Sequence, residues 1–281
     1  MDDVVTARYE IESALPLDAV AEVMAGEQSS GAFVAVARET AALRQRYTAR
    51  VVGIEELAPS GRPSLPGTDG DWSTARRAIV TIEFPLHNVG PSLPNLLAAV
   101  AGNLFEIRQA GALRLVDLDL PQAFAQAYPG PAFGWEGTMR LVGRTEGPLL
   151  GTIVKPSIGL SAEQLGELVT ELADAGIDFI KDDELQGNGP DLPLRERVRV
   201  VMDALHRAAE RNGRMPMYAF NISDDIDRLG PNHDLVRDAG GTCVMVCVNT
   251  VGLAGVQYLR DRSELPVHGH RTMFGAMPRS P

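Results

Sequence analysis

Two apolar runs that each end in charge constrain this chain more than any other feature. Residues 149–154 (LLGTIV) close on Lys155, and residues 177–180 (IDFI) close on Lys181, Asp182, Asp183 and Glu184. The stretch between them, 161–175 (SAEQLGELVTELADA), opens with a serine, has Gln164 three residues on, and then repeats apolar residues at helical spacing. That is the pattern of a capped amphipathic helix. Strand, helix and strand make one βαβ unit. A parallel strand covered by its crossover helix ends at the rim of the sheet, where α/β enzymes carry their chemistry. Charged groups at two successive strand ends therefore point into one mouth.

The rhythm continues downstream. Residues 194–211, 226–239 and 253–262 read as helices, and 215–221, 242–248 and 265–270 as strands, in units of about 30 residues that signal a parallel α/β sheet or barrel. No glycine-rich phosphate loop follows any of the five strands, which argues against a doubly wound nucleotide fold. The expected fold class is α/β, a (β/α)8 barrel of which only about five βα units are present. Residues 149–281 are roughly half of the ~250 that a complete barrel needs, so a missing C-terminal part is expected.

Upstream the pattern differs. Strands are expected at 4–10, 47–57, 77–84 and 112–118, helices at 16–24 and 92–101, and a Pro/Gly-rich loop at 58–71. This order predicts an α+β, ferredoxin-like domain. The composition turns to PQAFAQAYPGPAFGW at 121–135, which divides the chain into an N-terminal α+β domain, 1–125, and a partial barrel domain, 126–281.

A hydrophobic content of 44% supports two cores, and a formal net charge of −11 disfavours nucleic acid and anionic membranes as partners, since both demand a concentrated positive face. The N-terminus lacks a basic and apolar leader pattern, and no apolar run approaches the ~20 residues of a membrane span. A soluble, cytoplasmic protein is expected. The two cysteines, Cys243 and Cys247, share one apolar run. On a strand they stand ~13 Å apart, too far for a disulfide and badly placed to share a metal, so both are read as reduced core residues.

The segments GTIVKPSIGLS, DFIKDDE and VHGHR, with AGEQSSGAF at 25–33 and AGNLFEI at 101–107 upstream, resemble the large chain of ribulose-bisphosphate carboxylase and its non-carboxylating relatives, the RuBisCO-like proteins. The resemblance implies that Lys181 takes up CO2 as a carbamate and binds Mg2+ together with Asp183 and Glu184. It makes Lys155 the acid/base lysine, and gives His270 and Arg271 the substrate's hydroxyl and phosphate, with His270 also catalytic. Glu27 and Asn103 match substrate-binding residues that in the family serve the partner subunit's site, which implies a homodimer. The substrate implied is a small phosphorylated sugar or acid sugar, held as an enediolate on the metal.

This chain departs from the carboxylases at Ser157, where they carry a second lysine, and at Ala32 and Phe33, where they carry threonine and tryptophan. These differences point away from carboxylation of ribulose bisphosphate. The segments KDDELQGNG, YAFNISDDID and GGTCVMVCVNTVGLAG look most like the branch that decarboxylates 3-oxo-isoapionate 4-phosphate, or cleaves its isomer by transcarboxylation and hydrolysis, in apiose breakdown. Two alternatives stand beside it: an enolase or isomerase of methionine salvage, and a truncated, inactive chain.

Read without the family, each candidate has a plainer explanation. Lys181 beside three carboxylates could form an ordinary ion pair, which would oppose carbamylation because that reaction needs the neutral amine. Lys155 could snorkel from a buried strand. His268 and His270 alternate onto one face, with His270 the functional member and His268 structural, while His87, His206 and His233 are read as surface or satisfied histidines. Strand alternation puts Lys181 and Asp183 together, whereas Glu184 can join them only if the chain turns there.

Overall fold

The computed structural model describes residues 3–31, 40–58 and 75–276. Ala32, Phe33, nearly all of the 58–71 loop and the last five residues lie outside them. The chain divides into two compact units, one running to Pro129 and the other beginning at Gly130.

The first unit contains β1 (Val4–Ser13), α1 (Leu17–Glu27), α2 (Ala41–Tyr47), β2 (Arg50–Leu57), β3 (Arg76–Pro85), α3 (Leu93–Ala101), β4 (Ala112–Asp119) and the short α4 (Gln122–Ala125). Its sheet has the order β2-β3-β1-β4 with every neighbouring pair antiparallel. This is the split βαβ arrangement of ferredoxin-like domains. Tyr9, Ile11, Val80 and Ile82 on the central strands pack with Val20, Met24, Leu96 and Val100 of α1 and α3 into one core. The buried Tyr9 hydroxyl donates to the Val100 carbonyl at 2.7 Å, and burial raises its pKa far above the ordinary tyrosine value.

The expected 47–57 strand begins three residues late, because 41–47 is helical. That helix buries no residue, and its Thr40 cap hydroxyl accepts from the Leu43 N–H at 3.2 Å. Without an apolar stripe it has no periodic signal in the sequence.

The second unit opens with α5 (Gly134–Leu141) and then alternates β5 (Gly151–Ile153), α6 (Ala162–Asp174), β6 (Phe179–Lys181), α7 (Leu194–Asn212), β7 (Met217–Asn221), α8 (Ile226–Asp238), β8 (Cys243–Cys247), α9 (Val248–Arg262) and β9 (Val267–His270). The sheet is wholly parallel and runs β5-β6-β7-β8-β9. These are five strands of a (β/α) barrel. The capping box on α6 forms as the sequence suggests, Ser161 accepting from the Gln164 N–H and the Gln164 side chain accepting from the Ser161 N–H. Helix α9 breaks at Gly252, whose φ of 79° suits glycine, so its second part begins where the sequence placed the helix.

The two faces of the sheet bury different material. Ile180, Tyr218, Phe220, Val244 and Val246 face the helices and join Leu165, Val169, Val201 and Leu205 in the larger core. Phe179, Met217, Ala219, Cys243 and Met245 face the other way, with Val142 and Leu149, and form an apolar floor on the inner side. Below that floor, Asp178 takes Arg144 at 2.9 and 3.1 Å, the Leu150 N–H at 3.0 Å, and Arg214. Burial works against its carboxylate, but the two guanidiniums and the N–H outweigh it and hold the carboxyl well below the usual range. Among the described residues no helix is long and apolar enough to cross a membrane.

Candidate functional site

Alternation along β6 and its extension divides the acidic run. Asp182 turns outward and is wholly buried. It accepts from Arg197 Nε of α7 at 3.0 Å, from the Tyr218 hydroxyl at 2.6 Å and from the Asn221 N–H at 2.8 Å. Burial pushes its carboxyl up, and those three donors pull it back. Asp182 is a structural residue of the sheet–helix layer.

Lys181 and Asp183 turn inward. The Lys181 amino group, in a residue only 7% exposed, donates to the Asp182 carbonyl at 3.0 Å and lies 3.9 Å from Met245 Sδ. Among the described residues both of these acceptors are neutral. Asp183 is 1% exposed, and its Oδ2 receives Lys155 Nζ at 2.5 Å while its Oδ1 receives the Leu185 N–H at 3.0 Å. Burial opposes ionisation here as well, yet Lys155 and the Leu185 N–H hold the Asp183 carboxyl below the usual range.

The turn that the sequence left open is present at Glu184 and Leu185. It brings Glu184 Oε2 to 3.7 Å from His270 Nε2 at the end of β9. His270 Nδ1 accepts the Thr272 N–H at 3.1 Å, which places the ring proton on Nε2, toward Glu184. Lys155, just beyond β5, has a side chain 60% exposed and also donates to Ser157 Oγ at 2.8 Å. The structure thus gathers Lys155, Lys181, Asp183, Glu184 and His270 at the carboxyl ends of the strands.

Arg271 is exposed and its guanidinium lies 5.5 Å over the Phe274 ring. Glu27 ends α1, and Asn103 begins a 3-10 turn, both in the first unit. With its amide oriented to suit its neighbours, Gln28 donates to the Ala98 and Ala99 carbonyls at 2.9 Å and accepts from the Leu104 N–H at 3.0 Å, which brings those two segments together. His268 lies on the inner face against Phe179, and burial, then Lys181 and His270, lower its pKa. His233 is not surface or satisfied: it is buried, with Nδ1 on Asp234 and Nε2 without a partner among the described residues.

Cys247 was missed as a neighbour of the site. The register pairs Cys247 with His270. Burial raises its thiol pKa, the Glu184 and Asp183 charges add to the effect, and Ser223 and Lys181 oppose it. Cys243, on the apolar floor two strand positions back along the same face, is pushed up to about 12 by burial, which outweighs a backbone hydrogen bond from His268. The pattern TCVMVC contained this signal only for a reader who already knew which face was the inner one.

Among the described residues no three His, Cys, Asp or Glu side chains already converge as a cage for a metal ion. Asp183 and Glu184 supply two carboxylates, and a carboxyl group added to the Lys181 amine would supply a third hard oxygen donor. Such a set suits Mg2+, which takes oxygen ligands and keeps positions open for water or substrate. The residues fit that ion on condition that Lys181 is carbamylated.

Residues 1–124 match the N-terminal domain of the ribulose bisphosphate carboxylase large chain, and residues 134–281 match its catalytic domain. Over its whole length the chain is 50% identical to the 3-oxo-isoapionate-4-phosphate transcarboxylase/hydrolase of Xanthobacter autotrophicus, of which it covers 68%. It is 42% identical to the 3-oxo-isoapionate-4-phosphate decarboxylase of Rhizobium rhizogenes, across 99% of this chain and 66% of that protein. The crystal structure of a rubisco-like protein from Burkholderia fungorum agrees with a TM-score of 0.90 at 43% identity, covering 100% of this chain and 67% of the other. The chain spans about two thirds of the length of these relatives. With both domains matched in order and with relatives this similar, the chain belongs to the ribulose-bisphosphate carboxylase large-chain family and is a RuBisCO-like protein.

Proposed function

We propose that this protein is a Mg2+-dependent carboxy-lyase acting on 3-oxo-isoapionate 4-phosphate. The observation that carries the reading is the gathering of Lys155, Lys181, Asp183, Glu184 and His270 at one end of a parallel sheet, in a chain 42% identical to a decarboxylase of that compound. When bound by Asp183, Glu184 and the Lys181 carbamate, the metal ion supplies electrophilic stabilisation of oxygen charge.

The chain's own residues account for the rest. In a 3-oxo acid the bond between the carboxyl carbon and C2 breaks, CO2 leaves, and the electron pair spreads over C2 and the ketone oxygen. A proton must then reach C2. Lys155, cationic and exposed at the mouth, holds that proton on Nζ. His270 Nε2–H is aimed into the same space and orients a substrate hydroxyl, while Arg271, exposed beyond the strand end, takes the phosphate. Ser157 in place of a second lysine leaves the mouth with less positive charge than a bisphosphate site needs. Glu27 and Asn103 are assigned to substrate binding in a homodimer, as the family implies.

A second reading, transcarboxylation with hydrolysis, is favoured by the 50% identity to an enzyme of that name. One experiment separates them. The protein is incubated with 3-oxo-isoapionate 4-phosphate labelled with 13C at the carboxyl carbon, and the label is followed by NMR. Release as CO2 and bicarbonate supports decarboxylation, and retention in an organic acid supports transcarboxylation. Unchanged substrate, with Mg2+ and bicarbonate present, overturns both in favour of an inactive chain or a methionine-salvage substrate.

A further inference from the structure

Glu184 poses a geometric problem for the site. Simple alternation after Asp183 would aim it at the helices, yet its carboxylate lies near His270. Something must hold the backbone at Asp183 and Glu184 in the turn that reverses it.

We infer that Asn221 is the positioning residue for this carboxylate pair, a role that rests on the cation-site reading above. It ends β7 and is 2% exposed. Its Nδ2 donates to two successive carbonyls, of Asp183 at 3.3 Å and of Glu184 at 3.2 Å. Its Oδ1 accepts the Ser223 N–H at 3.1 Å. The backbone is fixed equally well, with N–H on Asp182 Oδ2 at 2.8 Å and C=O on Arg197 Nη2 at 3.0 Å. Every polar group of the residue is thereby engaged, with the β6 end and its following turn, with Arg197 of α7, and with the loop after β7.

The chemistry selects asparagine. Two converging carbonyl oxygens need one nitrogen with two hydrogens, while the following loop needs an acceptor on the same side chain. Aspartate would face both carbonyls with an oxygen, and leucine would leave them unpaired in a buried place. The Asn221 side chain is committed to backbone groups. It acts through the Asp183–Glu184 backbone, as partners one step removed from a metal orient its ligands.

The test titrates the whole chain with Mn2+ in bicarbonate buffer, reading free Mn2+ by electron paramagnetic resonance and the lysine carbamate by 13C NMR from labelled bicarbonate. Asn221→Leu and the isosteric Asn221→Asp are compared with Asn232→Ala. Asn232 is a buried asparagine whose amide donates to the Ile222 carbonyl and to Asp224, away from the turn. The expected result is a loss of Mn2+ affinity of about 10- to 100-fold in both Asn221 variants and little change in the control. The aspartate is informative because its added negative charge would strengthen cation binding if charge alone mattered. Affinity within twofold of the parent, or an equal loss in Asn232→Ala, overturns the positioning role. If Asp183→Asn binds Mn2+ as the parent does, the cation-site reading itself falls, and this inference with it.

Discussion

Lys155 Nζ and Asp183 Oδ2 are 2.5 Å apart, so the proposed acid/base group and one carboxylate of the proposed cation site hold each other. The same oxygen cannot serve a lysine and a metal ion equally well. Ser157 accepts a second hydrogen from Nζ at 2.8 Å, and this keeps the lysine directed at the pair. On the cation-site proposal, binding at Asp183 would therefore release Lys155 into the mouth.

Removing that ammonium should separate binding from turnover. Lys155→Met is expected to lower activity at least ~100-fold through loss of the proton donor. The same change should tighten Mn2+ binding about fivefold, because a like charge at ~4 Å costs on the order of 1 kcal/mol even in water-like surroundings. Calorimetric titration of the variant with Mn2+ checks this, and weaker binding would contradict it.

Lys181 should be required for the response to CO2. Lys181→Ala, and equally Lys181→Arg, is expected to abolish the 13C carbamate resonance and to make Mn2+ affinity independent of bicarbonate. The loss relative to the parent in saturating bicarbonate should be at least ~10-fold, since one of three anionic donors is gone. Persistence of the bicarbonate effect would assign the carbamate elsewhere.

The outward-facing pair beneath the site should dominate stability. Arg197 and Asp182 are both essentially unexposed, so Arg197→Met leaves a buried carboxylate without its counter-charge, held only by the neutral Tyr218 hydroxyl and Asn221 N–H, at a cost of about 3–5 kcal/mol. Urea unfolding should show a lower midpoint for Arg197→Met and a partial recovery in the double variant Arg197→Met/Asp182→Asn. Equal midpoints for single and double variants would contradict the pairing.

Acid stability should run through Asp178. Its folded pKa lies below the ordinary value because Arg144, Arg214 and the Leu150 N–H outweigh burial. A carboxyl near 3.9 in the unfolded chain therefore adds stability that is fully present above about pH 4 and is lost as pH falls through the lower folded value. Melting midpoints between pH 7 and pH 2 should fall less steeply for Asp178→Asn, which starts lower at neutral pH. Parallel curves would contradict the assignment.

Much of the barrel-like unit was legible because its signals are local. The Ser161–Gln164 capping box, the apolar stripe of α6 and the apolar runs of β7, up to Asn221, and of β8 all depend on residues close in sequence. Helices α2 and α5 were not, since the first buries no residue and the second follows a Pro/Gly-rich stretch. At the site, period-two alternation separated Lys181 and Asp183 from Asp182. The reversal at Glu184 depends on an asparagine 37 residues away, and the position of Cys247 beside His270 depends on strand register. Neither relation has a local signature. The ion pair of Lys155 with Asp183 likewise joins two strand ends whose distance only the folded sheet sets.

The parallel sheet places its strands in the order in which the chain presents them. Lys155, Lys181, Asp183, Glu184 and Asn221 accordingly occupy three consecutive strand ends, whereas His270 and Arg271 arrive two units later. On the roles proposed above, the barrel residues that would hold the cation and those that would grip the hydroxyl and phosphate are thus written in separate cassettes of the gene. A change in the later cassettes would then alter that grip while leaving the earlier ones intact.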